Sequence, residues 1–312
     1  MKTLLTFIIC LYALVANAQE KNNTFHVVDS LSGKAVPSVS VTIIRAKLAI
    51  TTENDGIFII PGDLAKMRDT IIIYAQSYHE LRIPIHKLST MDTIRFPKFT
   101  SSTIAEKVNY KKESLLNDYN SKDVVHYAGL NTETANFDYL QIAQKFETPQ
   151  AGIKLKDITL NRLGFGVFDS DRTFMGVEHI DPVTFRIRIY DINPVTGGPG
   201  KDLYNEIIEK KINAGKQINI DLKKLNIIIP HKTFFIAIEW MRDYFNMGYS
   251  VIYDFKTNKE KRTINYRPAI GIAAVTSDKL NIWVLNFKYE WKPFTYFMPF
   301  GTDLAIKATV EY

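Results

Sequence analysis

Six histidines, a single cysteine and scattered acids are the residues from which this 312-residue chain could assemble a reactive centre. Their spacing argues against most reactions. A zinc peptidase needs His-Glu-x-x-His or His-x-x-Glu to bring its ligands onto one cation. His26, His79, His86, His126, His179 and His231 open neither pattern, and His79-Glu80 lacks a second histidine three residues on. Gly248-Tyr-Ser250 has no second glycine, so the sharp nucleophile turn of a serine hydrolase is missing. Gly164-Phe-Gly166 begins like a dinucleotide loop, but Asp169 stands where the third glycine belongs. Gly200-Lys201-Asp202 lacks the earlier glycine and the hydroxyl residue of a phosphate loop.

Two carboxylates on a β scaffold suffice for glycoside hydrolysis. Glu239, beside Trp240 in an otherwise apolar run with Asp243 beyond, is the one candidate catalytic acid. Its competing role is an ion pair across a sheet with Arg186 or Arg188. The acidic turns Asp169-Ser-Asp171 and Asp191 to Asp202 match no specific calcium loop. No metal site and no cofactor is expected. Binding is better served, by a cluster running from Trp283 to Phe300. Trp283, Leu285, Phe287, Tyr289 and Trp291 share parity and lie on one face if the strand is unbroken. Pro293 and Pro299 push Phe294 to Phe297 towards a loop or edge. Aromatic rings beside polar groups stack on sugars or hold protein partners. Trp291, Tyr296, Tyr289 and Phe294 are therefore the candidate ligand-binding residues, with Trp283 and Phe287 assigned to the core.

These residues need a scaffold and a compartment. Met1-Lys2, an apolar run from Leu4 to Val15 and the small-x-small triplet Ala16-Asn17-Ala18 read as a signal peptide over residues 1–18, cleaved between Ala18 and Gln19. The apolar run is too short to span a bilayer stably, so no transmembrane segment is expected after cleavage. Cys10 falls inside the signal, which leaves the exported chain without thiols or disulfides and reliant on its core. The formal charge is +6, with bases scattered among acids as in Lys256 to Arg262. A nucleic-acid groove would concentrate them on one face, so no nucleic-acid partner is expected.

Residues 24–98 read as short strands divided by turn residues. Phe25 to Val28 precedes the cluster Asp29 to Gly33, Val39 to Ile43 is β-branched, and Ile57 to Ile60 follows a tight turn at Asn54-Asp55-Gly56. Thr70 to Ala75 and Leu81 to Ile85 add two more runs, giving an antiparallel sandwich. Val28-Asp29 with Ser32-Gly33, Val36-Pro37 before Val39-Ser-Val-Thr-Ile43, Thr51-Thr52, Asp55-Gly56 and Phe58-Ile59 complete a pattern. It resembles the carboxypeptidase-regulatory-like, transthyretin-like or Ig-like β-sandwich of exported Bacteroidetes proteins. Tyr78 stands where that family often has Gly-Tyr, with Ser77 in place of the glycine. The resemblance implies a fold and an accessory role, without peptidase machinery.

Residues 99–136 are polar and irregular, as in a linker. Strand signals resume over 137–312: Phe185, Ile187 and Ile189 alternate with Arg186, Arg188 and Tyr190, and Leu304 to Tyr312 alternates to its end. Phe185 to Asp191, the Gly/Pro-rich stretch Asn193 to Gly200 and Asp202-Leu203 resemble the jelly-roll domains of secreted binding proteins. The expected molecule is all-β: two sandwiches, the second jelly-roll-like. Its expected role is non-enzymatic, in the periplasm or on the outer surface of a Gram-negative cell, with a glycan or an envelope protein as ligand. A small glycoside hydrolase using Glu239 is the alternative.

Overall fold

The computed structural model describes residues 23–88, 90–98, 112–132, 136–163, 182–204, 208–213, 215–254, 257–275, 279–298 and 301–312. The expected cleavage site at Ala18 and Gln19 lies outside these residues, as do Gly164, Gly166, Asp169 and Asp171. The described chain is all-β, with only short helical turns. It divides into two compact units, one within residues 23–98 and one within 112–312, Ala49–Thr51 grouping with the latter. No helix among the described residues is long and apolar enough to cross a membrane.

Residues 23–98 form β1 (Asn23–Asp29), β2 (Ser40–Ile43), β3 (Leu48–Thr51, all but its first residue grouping with the second unit), β4 (Ile57–Ile60), β5 (Thr70–Tyr74), β6 (Leu81–Pro84) and β7 (Thr93–Phe96). These form two sheets, ordered β4-β1-β7 and β3-β2-β5-β6. In β4, Phe58 and Ile60 are buried while Ile57 and Ile59 face outwards, the period of two that commits one face to a core. The expectation of a wholly antiparallel sandwich fails at one place: β1 and β7 run parallel. A parallel neighbour requires a long crossover, here the whole of β2 to β6.

Two turns of this unit are fixed by chemistry visible in the sequence. Gly56 has φ +66°, and a Cβ there would lie 2.6 Å from the Val36 carbonyl oxygen and 2.8 Å from that of Val27. Only glycine fits. Asp29, at the end of β1, accepts hydrogen bonds on Oδ1 from the Leu31 amide (3.0 Å), the Ser32 amide (2.6 Å) and the Ser32 hydroxyl (2.9 Å). Its Oδ2 accepts from the Tyr78 hydroxyl at 3.0 Å. The Ser32 amide, then the Ser32 hydroxyl, hold the Asp29 carboxyl down at about 2.

The second unit contains β8 (Glu113–Leu116), β9 (Val124–Asn131), β10 (Gln141–Glu147), β11 (Ile153–Asn161), β12 (Val183–Ile192), β13 (Pro199–Asp202), β14 (Ile208–Ile212) and β15 (Gln217–Asp221). It continues with β16 (Ile227–Ile229), β17 (Thr233–Trp240), β18 (Met247–Asp254), β19 (Lys259–Ala274), β20 (Ile282–Leu285), β21 (Trp291–Pro293), β22 (Thr302–Leu304) and β23 (Ile306–Glu311). One layer is the sheet β13-β12-β17-β10-β20-β21, with β14 also on β12. Facing it are β15-β11-β23-β8, with β16 on β11, and β18-β19-β22, with β9 on β19. A single core lies between: Ile142, Phe185, Ile187, Ile236 and Ile238 meet Leu155, Ile158, Leu160, Ile306, Ile270 and Ile272. This is a two-layer antiparallel sandwich.

The boundary expected at 99–136 is corrected. Residues 113–116 and 124–131 of that stretch are strands of the second unit, β8 pairing with β23 and β9 with β19. Polar, irregular sequence suits β8 because it is a half-exposed edge strand with a single neighbour.

Candidate functional site

Glu239 is built into an ion-pair row and not into a cleft. The register of β14, β12, β17 and β10 sets Glu209 opposite Arg186, Arg186 opposite Glu239 and Glu239 opposite Gln141. Arg186 donates from Nη1 to Glu239 at 3.3 Å and from Nε to Glu209 at 3.2 Å. Arg186 and Glu239 are 0% and 2% exposed. A charge removed from water in this way persists only when its partners sit beside it. Ion pairing is therefore the role the geometry assigns to Glu239. In the next row of the same face, Arg188 donates to Asp202 from Nε at 2.7 Å and also from Nη2.

The four candidate aromatics do not form one site. The strand carrying Trp283 stops at Leu285, turns back through Asn286 to Glu290 and returns as β21, so Trp291 faces Leu285 across a hairpin. Trp291 sets its edge against the Tyr190 ring at 5.4 Å, and Tyr190 donates its hydroxyl to Gln141 at 3.0 Å. Tyr289 sits in the turn at φ +60°. One residue beyond Pro293 the alternation points inwards, and Phe294 joins the sandwich core at 9% exposure. Phe294 thus packs as a core residue. Tyr296 is exposed and stacks on Phe294 at 6.2 Å, in a ring cluster with Phe137 and Phe297 that lies apart from the Trp291 hairpin. Trp283 and Phe287 are buried, as expected of core residues.

The structure does form a cleft, on residues the sequence patterns passed over. Along β15, β11 and β23 the inward positions Ile218, Ile220, Ile158, Leu160, Ile306 and Ala308 are apolar, which leaves the opposite face polar. The register places Gln217 opposite Asn161, and Thr159 opposite both Asn219 and Lys307. The loop after β8 closes over this face. It is pinned by Asn117, whose Nδ2 donates to the carbonyls of Leu304 (2.9 Å) and Ile306 (2.8 Å) from a left-handed backbone. Asn120 accepts from the Lys122 amide, and Asp123 accepts from the Asn120 amide, each at 3.0 Å. The result is a cavity of about 400 Å³ lined by Asp118, Tyr119, Asn120, Ser121, Asn161, Gln217 and Lys307.

Charge in the cleft is balanced. Lys307 donates to Asp118 and lies over the Tyr119 ring, 4.9 Å from its centre. Burial pushes the Tyr119 phenol up to about 12, so it stays a neutral hydroxyl. The remaining wall consists of amides and a hydroxyl. The Asn161 carboxamide oxygen is sealed from solvent and has no hydrogen-bond partner among the described residues. Leaving such a group unmatched costs about 1–3 kcal/mol. Among the described residues Asp118 is the one carboxylate lining the cavity. Among the described residues no three His, Cys, Asp or Glu side chains are grouped to hold a metal ion.

No family model matches the chain, and no curated protein matches it. Among solved structures it is similar to a clostridial cysteine protease, Cwp84, after propeptide cleavage, with a TM-score of 0.33 and 9% identity over 56% of this chain and 36% of that one. A second similarity is to the cysteine protease and lectin-like domains of Cwp84, a surface layer associated protein of Clostridium difficile, with a TM-score of 0.36 and 9% identity. It covers 94% of this chain and 59% of that one. At these TM-scores the likeness carries no argument about activity. The class established by the fold is an all-β protein of two units, the second a sandwich with a polar cleft on its outer face.

Proposed function

We propose that this is an exported, non-enzymatic binding protein whose second unit holds a short neutral glycan in the cleft between Asp118–Ser121 and Asn161, Gln217 and Lys307. The observation that carries this reading is the carboxamide wall that Asn120, Asn161 and Gln217 contribute to the cavity. Sugar hydroxyls donate and accept at once, which suits carboxamides that offer both functions. The internal Lys307–Asp118 pair leaves no net charge to attract an ion. The Tyr119 face is covered by Lys307, so affinity rests on hydrogen bonds and not on ring stacking.

The test is a glycan array on the full-length chain, followed by calorimetry with the tightest array glycan. Replacing Asn120 and Gln217 together by alanine should weaken binding at least tenfold. Gln217 is exposed and Asn120 caps one short turn, so the melting temperature should fall by no more than about 4 °C. Binding should also be nearly independent of salt, because no ion pair with the ligand is formed. Unchanged affinity in this variant, or loss on Trp291→Ala alone, would move the site to the hairpin aromatics.

A further inference from the structure

The first unit carries a second cleft of opposite character. It has a volume of about 830 Å³ and is lined by Ile44, Arg45, Lys66, Met67, Arg68, Asp69, Thr70, Pro84 and His86. Three elements meet there: the turn after β2, the turn leading into β5, and the end of β6. Arg45, Lys66 and Arg68 face a single acid, Asp69. That acid is already committed. Its Oδ2 accepts from the amides of Arg45 (2.8 Å) and Ala46 (3.1 Å), and its Oδ1 accepts from the Thr70 amide (2.7 Å). These bonds fix the turn that carries Arg45, and they leave the guanidinium itself unanswered. Arg45 and Arg68 are exposed and have no ion-pair partner among the described residues. Ile44, Met67 and Pro84 supply an apolar wall beside the cations.

We propose that this cleft binds a phosphoester. A guanidinium presents donors in a planar fork that matches phosphate oxygens two at a time, and two such forks suit a group carrying up to two negative charges. A single carboxylate would need only one of them. The committed role of Asp69 matters here, because its oxygens are held by backbone amides and are not turned to neutralise the arginines. The apolar wall accommodates the carbon skeleton to which the phosphate is attached, whether that belongs to a lipid headgroup or to a soluble ester.

Two probes distinguish these sources on the full-length chain. Glycerol 3-phosphate is titrated by calorimetry, and vesicles of phosphatidylcholine with or without phosphatidylglycerol are tested by co-sedimentation. At least one probe should bind, with affinity falling as salt rises. Arg45→Gln with Arg68→Gln should lose at least tenfold of that binding while retaining the melting temperature and the glycan binding of the second unit. Arg68→Lys, which keeps the charge and loses the fork, should fall between. Binding of the soluble ester assigns a soluble ligand, and binding only to the anionic vesicles assigns a headgroup. Failure of both probes, or binding that survives the double substitution, overturns the proposal whatever becomes of the glycan reading.

Discussion

Asp29 in the first unit and Glu239 in the second are both nearly buried carboxylates, yet they are neutralised by different means. Asp29 is served by amides and a hydroxyl two and three residues away, with the Tyr78 hydroxyl closing the set. Glu239 is held by Arg186, on a strand that reaches it only through the register of β12 against β17. The first arrangement forms as soon as one turn forms. The second exists only when a whole layer is correctly aligned. The first unit therefore concentrates its constraints in the backbone of turns, and the second in charged rows inside sheets.

The largest effect should come from breaking a row. Glu239→Leu removes one of the carboxylates that hold the buried Arg186 guanidinium and should destabilise the second unit by about 3 kcal/mol in urea denaturation. Adding Arg186→Met should recover most of that loss, since an apolar pair needs no partner. If the double variant is as unstable as the single one, the row is not acting through charge. Turns come next. Gly56→Ala should cost about 2 kcal/mol or more, from the left-handed backbone together with the approach to two carbonyl oxygens. Gly33→Ala, at φ +67° in open space, should cost only about 1 kcal/mol. Equal losses at the two glycines would show that the crowding at Gly56 relaxes.

Ser77 offers a gain. It holds φ +67°, a conformation that favours glycine, so Ser77→Gly should raise the stability of the first unit by up to about 1 kcal/mol. The smallest effect near neutral pH is electrostatic. Folding lowers the Asp29 carboxyl from 3.8 to about 2, so the unfolded chain takes up that proton more readily than the folded one. The contribution is complete above the unfolded value and is lost as pH falls through the folded one. Asp29→Asn should therefore flatten the acid limb of the unfolding profile between about pH 4 and 2. An unchanged limb would mean that the turn survives without the charge.

This division also decides what could be read from residues alone. Asp29-Ser32-Gly33 and Asp55-Gly56 were legible because each acts over a few residues or on a single turn. In the second unit the alternation of Phe185 to Ile189 and of Ile306 to Val310 announced strands. It could not announce partners. Glu113 to Leu116 reads as linker because what makes it a strand is β23, at the far end of the described chain. The aromatic parity from Trp283 to Trp291 was real but had another origin: a hairpin returns Trp291 to the face of Leu285. The cleft left no local trace, since Asn161 and Gln217 become neighbours only when β11 meets β15.

One consequence follows from the closure of the second unit. Lys112 and Tyr312 exchange backbone hydrogen bonds of 2.9 Å in both directions, so the outermost strand of that layer waits for β23. Ribosomes release β8 long before β23 exists. Until then the Asp118–Ser121 loop has neither Lys307 nor the Leu304 and Ile306 carbonyls to rest on. Ligand recognition should thus be the last property acquired during synthesis, and a chain stalled before Ile306 should be blind to sugar however much of its sandwich has already condensed.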